Sequence, residues 1–238
     1  MNRNTLTLTT LAVVTSALLG CSLQSNIPTS ENTFSAIDTF GIQCKSQEEP
    51  KRGSSGIRGL TFVGSSIADA PFVTSAAEIV SYDSCTDKLY VVNAQAKKID
   101  VLTLDANSQP KAAGYIDLQS AAKRSGIEIG AANSVSAHHG LVAVAVENKD
   151  KQKNGIIALF RSDSLELLTT YPAGALPDMV SFSKDGRYIA AANEGEPSAD
   201  YSIDPEGSVT LIDIANGPLN ASVIQLDFNA FEDRKSVV

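Results

Sequence analysis

Five carboxylates, Glu194, Glu196, Asp200, Asp204 and Glu206, fall within one stretch, NEGEPSADYSIDPEGSVTLIDI, running from Asn193 to Ile214. Carboxylates crowded into one loop repel one another unless water or a cation screens them. The loop is therefore a site for a metal or a cationic ligand, or else a solvated insertion. The hard cation that oxygen ligands favour outside cells is Ca²⁺, which makes calcium the expected cofactor if there is one. Asp204-Pro205-Glu206-Gly207 resembles a calcium loop only distantly, lacking the alternating ligands and closing bidentate Glu of an EF-hand. A second set, Glu78, Asn133 and Asp178, occupies equivalent places two residues before repeated Val-Ser pairs, where polar groups could meet at the mouth of a channel or merely cap turns.

Other chemistry finds little support. His138 and His139 adjoin Gly140 and read as turn residues, with no nucleophile elbow nearby. The run Gly53 to Gly56 lacks the lysine and following helix of a phosphate loop. The acidic loop holds no Lys or Arg to neutralise a phosphate, and in sequence only Lys184 and Arg187 lie close.

The elements that must position these groups are short strands in three similar runs. AEIVSY from Ala77, ANSVSA from Ala132 and PDMVSF from Pro177 begin them, with Val80, Val135 and Val180 in register at spacings of 55 and 45 residues. Second strands follow at Leu89 to Asn93, Leu141 to Val146 and Tyr188 to Asn193, and third strands at Ile99 to Leu104, Ile156 to Phe160 and Val209 to Ile214. Fourth strands are expected at Gly114 to Leu118, Leu167 to Tyr171 and Ser222 to Leu226, with helices only at Leu118 to Arg124 and Phe228 to Lys235. Such periods predict an all-β chain, a β-propeller of four-stranded antiparallel blades near 77–118, 132–171 and 177–226 within residues 57–238. Three blades do not close a ring, so the sequence is expected to form an incomplete, open one and to be a fragment of a longer protein.

Residues 1–20 carry Arg3, no acid and an apolar core from Leu11 to Leu19, the pattern of a signal peptide. Leu18-Leu19-Gly20-Cys21 resembles a lipobox, making Cys21 the lipidated N-terminus of an exported protein, and Ser22 after it implies the outer membrane. Residues 21–56, rich in Ser, Asn, Gln, Pro and Gly, read as a flexible tether, with one strand around Phe34 to Phe40. Cleavage leaves 18 basic and 27 acidic residues, a net charge of −9, which disfavours nucleic acid and leaves membrane attachment to the acyl chains. Cys44 and Cys85 then form an even pair in an oxidising compartment, the condition for a disulfide.

The segment GALPDMVSFSKDGRYIAAANEGEPSADYSIDPEGSVTLIDI, Gly174 to Ile214, resembles the signature of the choice-of-anchor I family, and AEIVSYDSCTDKLYVVNAQAKKIDVL and NGIIALF are similar to its earlier blades. The resemblance implies a YVTN-like propeller outside the cell, with further blades beyond Val238 and family names that mention phytase-like or alkaline-phosphatase-like activity. Three functions follow as expectations. The first is an envelope-attached module binding a protein, glycan or small molecule. The second is a Ca²⁺-dependent phosphoester hydrolase, and the third a structural surface protein.

Overall fold

The computed structural model describes residues 35–45, 61–67 and 76–230. Cys21, the signal peptide and most of the tether lie outside the described residues.

The first blade is an antiparallel meander of β1 (Val80–Asp83), β2 (Lys88–Asn93), β3 (Lys98–Leu104) and β4 (Pro110–Asp117). Helix α2 (Gln119–Ser125) leads to the second blade, β5 (Ile129–His138), β6 (Leu141–Asn148), β7 (Asn154–Arg161) and β8 (Leu167–Ala175). The third blade is β9 (Pro177–Phe182), β10 (Tyr188–Asn193), β11 (Ser208–Asp213) and β12 (Ser222–Leu226). Within each blade the strands pair in sequence order, so one inner strand (β1, β5, β9) starts every sheet. The three inner strands stand side by side, β5 between β1 and β9, and the sheets stack face to face. This is a β-propeller arrangement of three consecutive blades.

Period-two alternation decides what each face buries. In β6 both faces are covered, and Val142, Val144 and Val146 pack toward the first blade while Ala143 and Ala145 pack toward the third, all fully buried. The first seam joins Tyr90, Val92, Ile99 and Val101 to Val135, Ala158 and Phe160. The second joins Leu141, Ile157, Leu159 and Ala173 to Val180, Ile189, Ala191 and Ile212. Alanine on β6 and β10 lets backbones approach closely where the sheets converge.

The longer spacing between the first two blades is occupied by α2. Asp117 Oδ1 accepts the Gln119 N–H at 2.9 Å, Ala121 and Ala122 enter the first seam, and Gly126 closes the helix at φ 68°. The strand expected around Phe34 to Phe40 is instead a single helical turn, α1 (Ala36–Phe40). Its Ala36, with Ile42 beyond it, is buried in the second core, and a disulfide joins Cys44 to Cys85. Helical geometry brings Ala36 inward while the chain turns toward that bond. Of the helix expected over Phe228 to Lys235, only Asn229 and Ala230 are in a helical turn among the described residues.

Candidate functional site

The acidic loop is built on Asn193, the last residue of β10, where the pairing with β9 slips by one residue. Its side chain is 3% exposed and its Nδ2 donates to Ser208 O, Ser208 Oγ and Thr210 Oγ1, which clamps the loop base shut. Glu194 and Gly195 donate their N–H groups to Leu176 O and Ala175 O, tying the entry of the loop to the junction of β8 and β9. Gly195 sits at φ 68°, and a Cβ there would strike the Pro205 carbonyl across the loop, so the position needs glycine on two counts.

The apex is a closed hydrogen-bonded turn. Asp200 Oδ1 accepts Ser198 Oγ at 2.7 Å, Ser202 Oγ at 2.8 Å and Ser202 N–H at 3.1 Å. Ser198 Oγ accepts the Ile203 N–H, and the Ser198 N–H donates to Ile203 O. These donors, the Ser198 hydroxyl foremost, hold the Asp200 carboxyl down to about 2. Tyr201, at φ 57°, and Ile203 are carried outward by the turn, 76% and 57% exposed.

Glu196 Oε2 pairs with Lys151 Nζ at 3.0 Å, and the Glu196 carbonyl accepts Gln152 Nε2. Lys151 stands in the turn between β6 and β7, and the hydrogen bond it donates to Glu196, helped by the charges of Glu147 and Glu194, raises its pKa. Sequence reasoning missed this cation because it lies 45 residues from its partner. Arg187, the nearest arginine in sequence, pairs with Asp213 at 2.8 Å, at the opposite end of β10 and β11 from the loop. Glu194, Asp204 and Glu206 are exposed, and among the described residues no three Asp, Glu, His or Cys side chains stand together as a metal-holding group. The structure thus brings Glu196 to Lys151 and Asp200 to its own serines, and it does not gather the five carboxylates round one point.

Glu78, Asn133 and Asp178 differ in burial. Asn133 is half-buried and its Nδ2 donates to Pro177 O at 3.1 Å and Glu147 Oε2 at 3.3 Å, a tie between second and third blades. Glu78 and Asp178 are exposed. His138 and His139 flank the β5–β6 turn, with His139 at φ 42° and the His138 ring 5.7 Å from that of Phe182.

The repeated Val-Ser pairs have a use that the sequence did not disclose. Ser81 Oγ accepts the N–H of Ala137 at 2.9 Å, and Ser136 Oγ accepts that of Phe182 at 3.2 Å. In both, the inner-strand serine of one blade receives the backbone N–H of the residue that follows the equivalent serine in the next blade. Ser134 Oγ adds a second such clip, accepting the Val180 N–H at 3.1 Å. Inner strands have an unpaired edge toward the axis, and these hydroxyls satisfy donors that would otherwise be left at the seam.

The sequence model of the choice-of-anchor I domain matches residues 78–238, which take in all three blades. The chain belongs to the choice-of-anchor I family. Among solved structures, this choice-of-anchor I domain is similar to hydrazine synthase of Kuenenia stuttgartiensis (21% identity over 62% of this chain, TM-score 0.42) and to a luciferin-regenerating enzyme (14% over 61%, TM-score 0.45). A hypothetical selenium-binding protein of Sulfolobus tokodaii is also similar, at 11% identity over 68% and a TM-score of 0.46. The chain spans 37%, 46% and 40% of those three proteins, and at such scores none bears on activity. No curated protein matches the sequence. Among the described residues no helix is long and apolar enough to cross a membrane.

Proposed function

We propose that this choice-of-anchor I domain is a β-propeller binding module held at the cell envelope, exported by residues 1–20 and attached through lipid on Cys21 to the outer membrane. The observation that carries the binding reading is the stiffened loop from Glu194 to Glu206. It offers an exposed aromatic, an exposed aliphatic and several carboxylates on a frame fixed by Asn193, Asp200 and Lys151. A recognition surface gains affinity when its loop is ordered before the partner arrives. The acidic face suits a basic segment of a protein partner. The blades continue beyond these three, because the first and last present uncovered sheet faces that a propeller encloses.

Fractionation of a Gram-negative host expressing the chain tests the location. The wild type is expected in the outer membrane and detergent phase, and Cys21→Ser in the aqueous phase; identical partitioning of both overturns the anchor. Hydrolysis of p-nitrophenyl phosphate that rises with Ca²⁺ would overturn the binding reading in favour of a phosphoester hydrolase. Anisotropy of a labelled lysine-rich peptide, lost on Tyr201→Ala together with Ile203→Ser, is the expected signature of the loop.

A further inference from the structure

The blades have two ends, and the chain uses them differently. At one end lie the hairpin turns β1–β2, β5–β6 and β9–β10; at the other lie the β6–β7 turn, the acidic loop between β10 and β11, and the connections that lead into β5 and β9. Ties between blades keep like ends together. At the first end the Gly140 N–H donates to Asp83 Oδ1 at 3.2 Å and Lys88 Nζ to Ser162 O at 2.8 Å. At the second, Lys97 Nζ donates to Ile129 O at 2.8 Å and Lys151 pairs with Glu196. The eight residues of β6, at about 3.3 Å each, hold the two ends about 25 Å apart.

Residues 35–45 belong to the first end. Cys44 is bonded to Cys85 in the β1–β2 turn, the Lys45 N–H donates to Cys85 O at 2.6 Å, and the buried Ile42 lies against Gly140 in the β5–β6 turn. Yet the chain enters its first blade from the second end, where Val80 pairs with Val91 and the Ile79 carbonyl accepts the Val92 N–H. Between the two, the described residues pass up the outward face of that blade. Val63 O accepts Gln109 Nε2 at the β3–β4 turn, and Ile67 and Ala77 share a hollow with Val91 and Tyr115. This stretch holds lightly, with Phe62 and Ile67 82% and 94% exposed. The firm hold on the preceding chain is therefore α1 with the disulfide, at the end opposite to the acidic loop.

Resting on the envelope reading above, we propose that α1 and the Cys44–Cys85 bond form an orienting clamp, which turns the hairpin end toward the lipid surface and presents the loop from Glu194 to Glu206 away from it, to a partner on the solvent side. From Cys21 to Ser35 the chain reaches at most about 50 Å when fully extended, and from Cys21 to Val80 about 200 Å. With the clamp closed, an anchor at Cys21 draws on the hairpin end, and the height of the blades lifts the acidic loop about three screening lengths clear of anionic headgroups at physiological salt. With it open, the domain hangs on a tether about four times longer that joins it at the end carrying the loop, and the preference for one side is lost.

The chain has no tryptophan, so Lys184→Trp in the β9–β10 turn and Tyr201→Trp in the acidic loop each place a single reporter at one end. Energy transfer from each to dansyl-labelled lipid is measured with the lipidated chain in vesicles. Transfer is expected to be several-fold stronger from position 184 than from position 201. Cys44→Ser with Cys85→Ser and Ile42→Asp, which removes the bond and undocks α1, is expected to erase the difference while circular dichroism still reports folded blades; should that variant not fold, dithiothreitol added to the Ile42→Asp chain in place gives the same comparison. Equal transfer from both reporters in the oxidised parent, stronger transfer from position 201, or a difference that survives release of the clamp overturns the proposal. Should cells leave Cys21 without lipid, the Cys21 thiol is joined to a maleimide lipid and the measurement repeated, so failure of the envelope reading is seen in detergent partitioning and failure of the clamp in the transfer.

Discussion

The inner-strand serines make a graded prediction. Ser134 is 2% exposed and its hydroxyl receives the N–H of Val180, itself 2% exposed, so Ser134→Ala strands a buried peptide donor at the second seam. An unsatisfied buried group costs about 1–3 kcal/mol, and the small void left by the oxygen adds little. A loss of about 2 kcal/mol lowers Tm by about 4 to 8 °C for a domain of this size. Ser136→Ala removes the same kind of bond from the half-buried Phe182 N–H, where water can partly replace it, and should cost about 1 kcal/mol. Ser181→Ala should change nothing, because Ser181 is exposed and bonds only its neighbour's carbonyl. Thermal melts followed by circular dichroism, with denaturant midpoints alongside, give the order Ser134, Ser136, Ser181. If all three variants melt together with the parent, the hydroxyls do not clip the blades and the repeat of Val-Ser has another cause.

Three further outcomes follow from the geometry. Reducing the Cys44–Cys85 bond, or replacing both cysteines by serine, opens a 41-residue loop and should cost about 4 kcal/mol on the chain-entropy model, read as a lower denaturant midpoint; an unchanged midpoint would mean that residues 35–45 add nothing to the fold. Because Lys151 already serves Glu196 and the serines serve Asp200, millimolar Ca²⁺ should leave the melting curve in place. A rise approaching the 2.7 kcal/mol expected at a hundredfold excess over Kd, abolished by Asp200→Asn with Asp204→Asn, would restore calcium to the loop. Asp200 has its pKa depressed, so its support of the loop is complete above the ordinary carboxylate range and is lost as pH falls from about 4 toward 2. The Ser202 amide resonance should follow that titration, and a midpoint near 4 would show that the serine hydroxyls do not hold the carboxylate.

The blades were legible because both their signals are local. The short apolar runs Leu89 to Asn93 and Tyr188 to Asn193, bounded by turn residues, report a strand wherever it is later placed, and the spaced Val-Ser starts report repetition directly. What the sequence hid lies across seams. The meaning of Ser81 depends on an N–H 56 residues away, and the charge balance of the acidic loop depends on Lys151 from the preceding blade. The segment through Ala36 misled for a related reason. Its few apolar residues were compatible with a short strand, but a disulfide and the packing of Ile42 beside Gly140 fix it as a turn of helix. The loop carboxylates showed their number in sequence and not their directions, since charge density alone says nothing of convergence.

The clip between blades draws a side chain from only one of its two partners. The donor is a peptide N–H that any residue but proline carries, so Ala137 and Phe182 fill the same role without resembling each other. A seam of this kind does not require matched substitutions on both sides. Blades can therefore be duplicated, lost or reordered in descent while each newcomer is held at once, provided it keeps its own serine for the one after it, and the recipient strand is left free to vary toward whatever its outer loops must recognise.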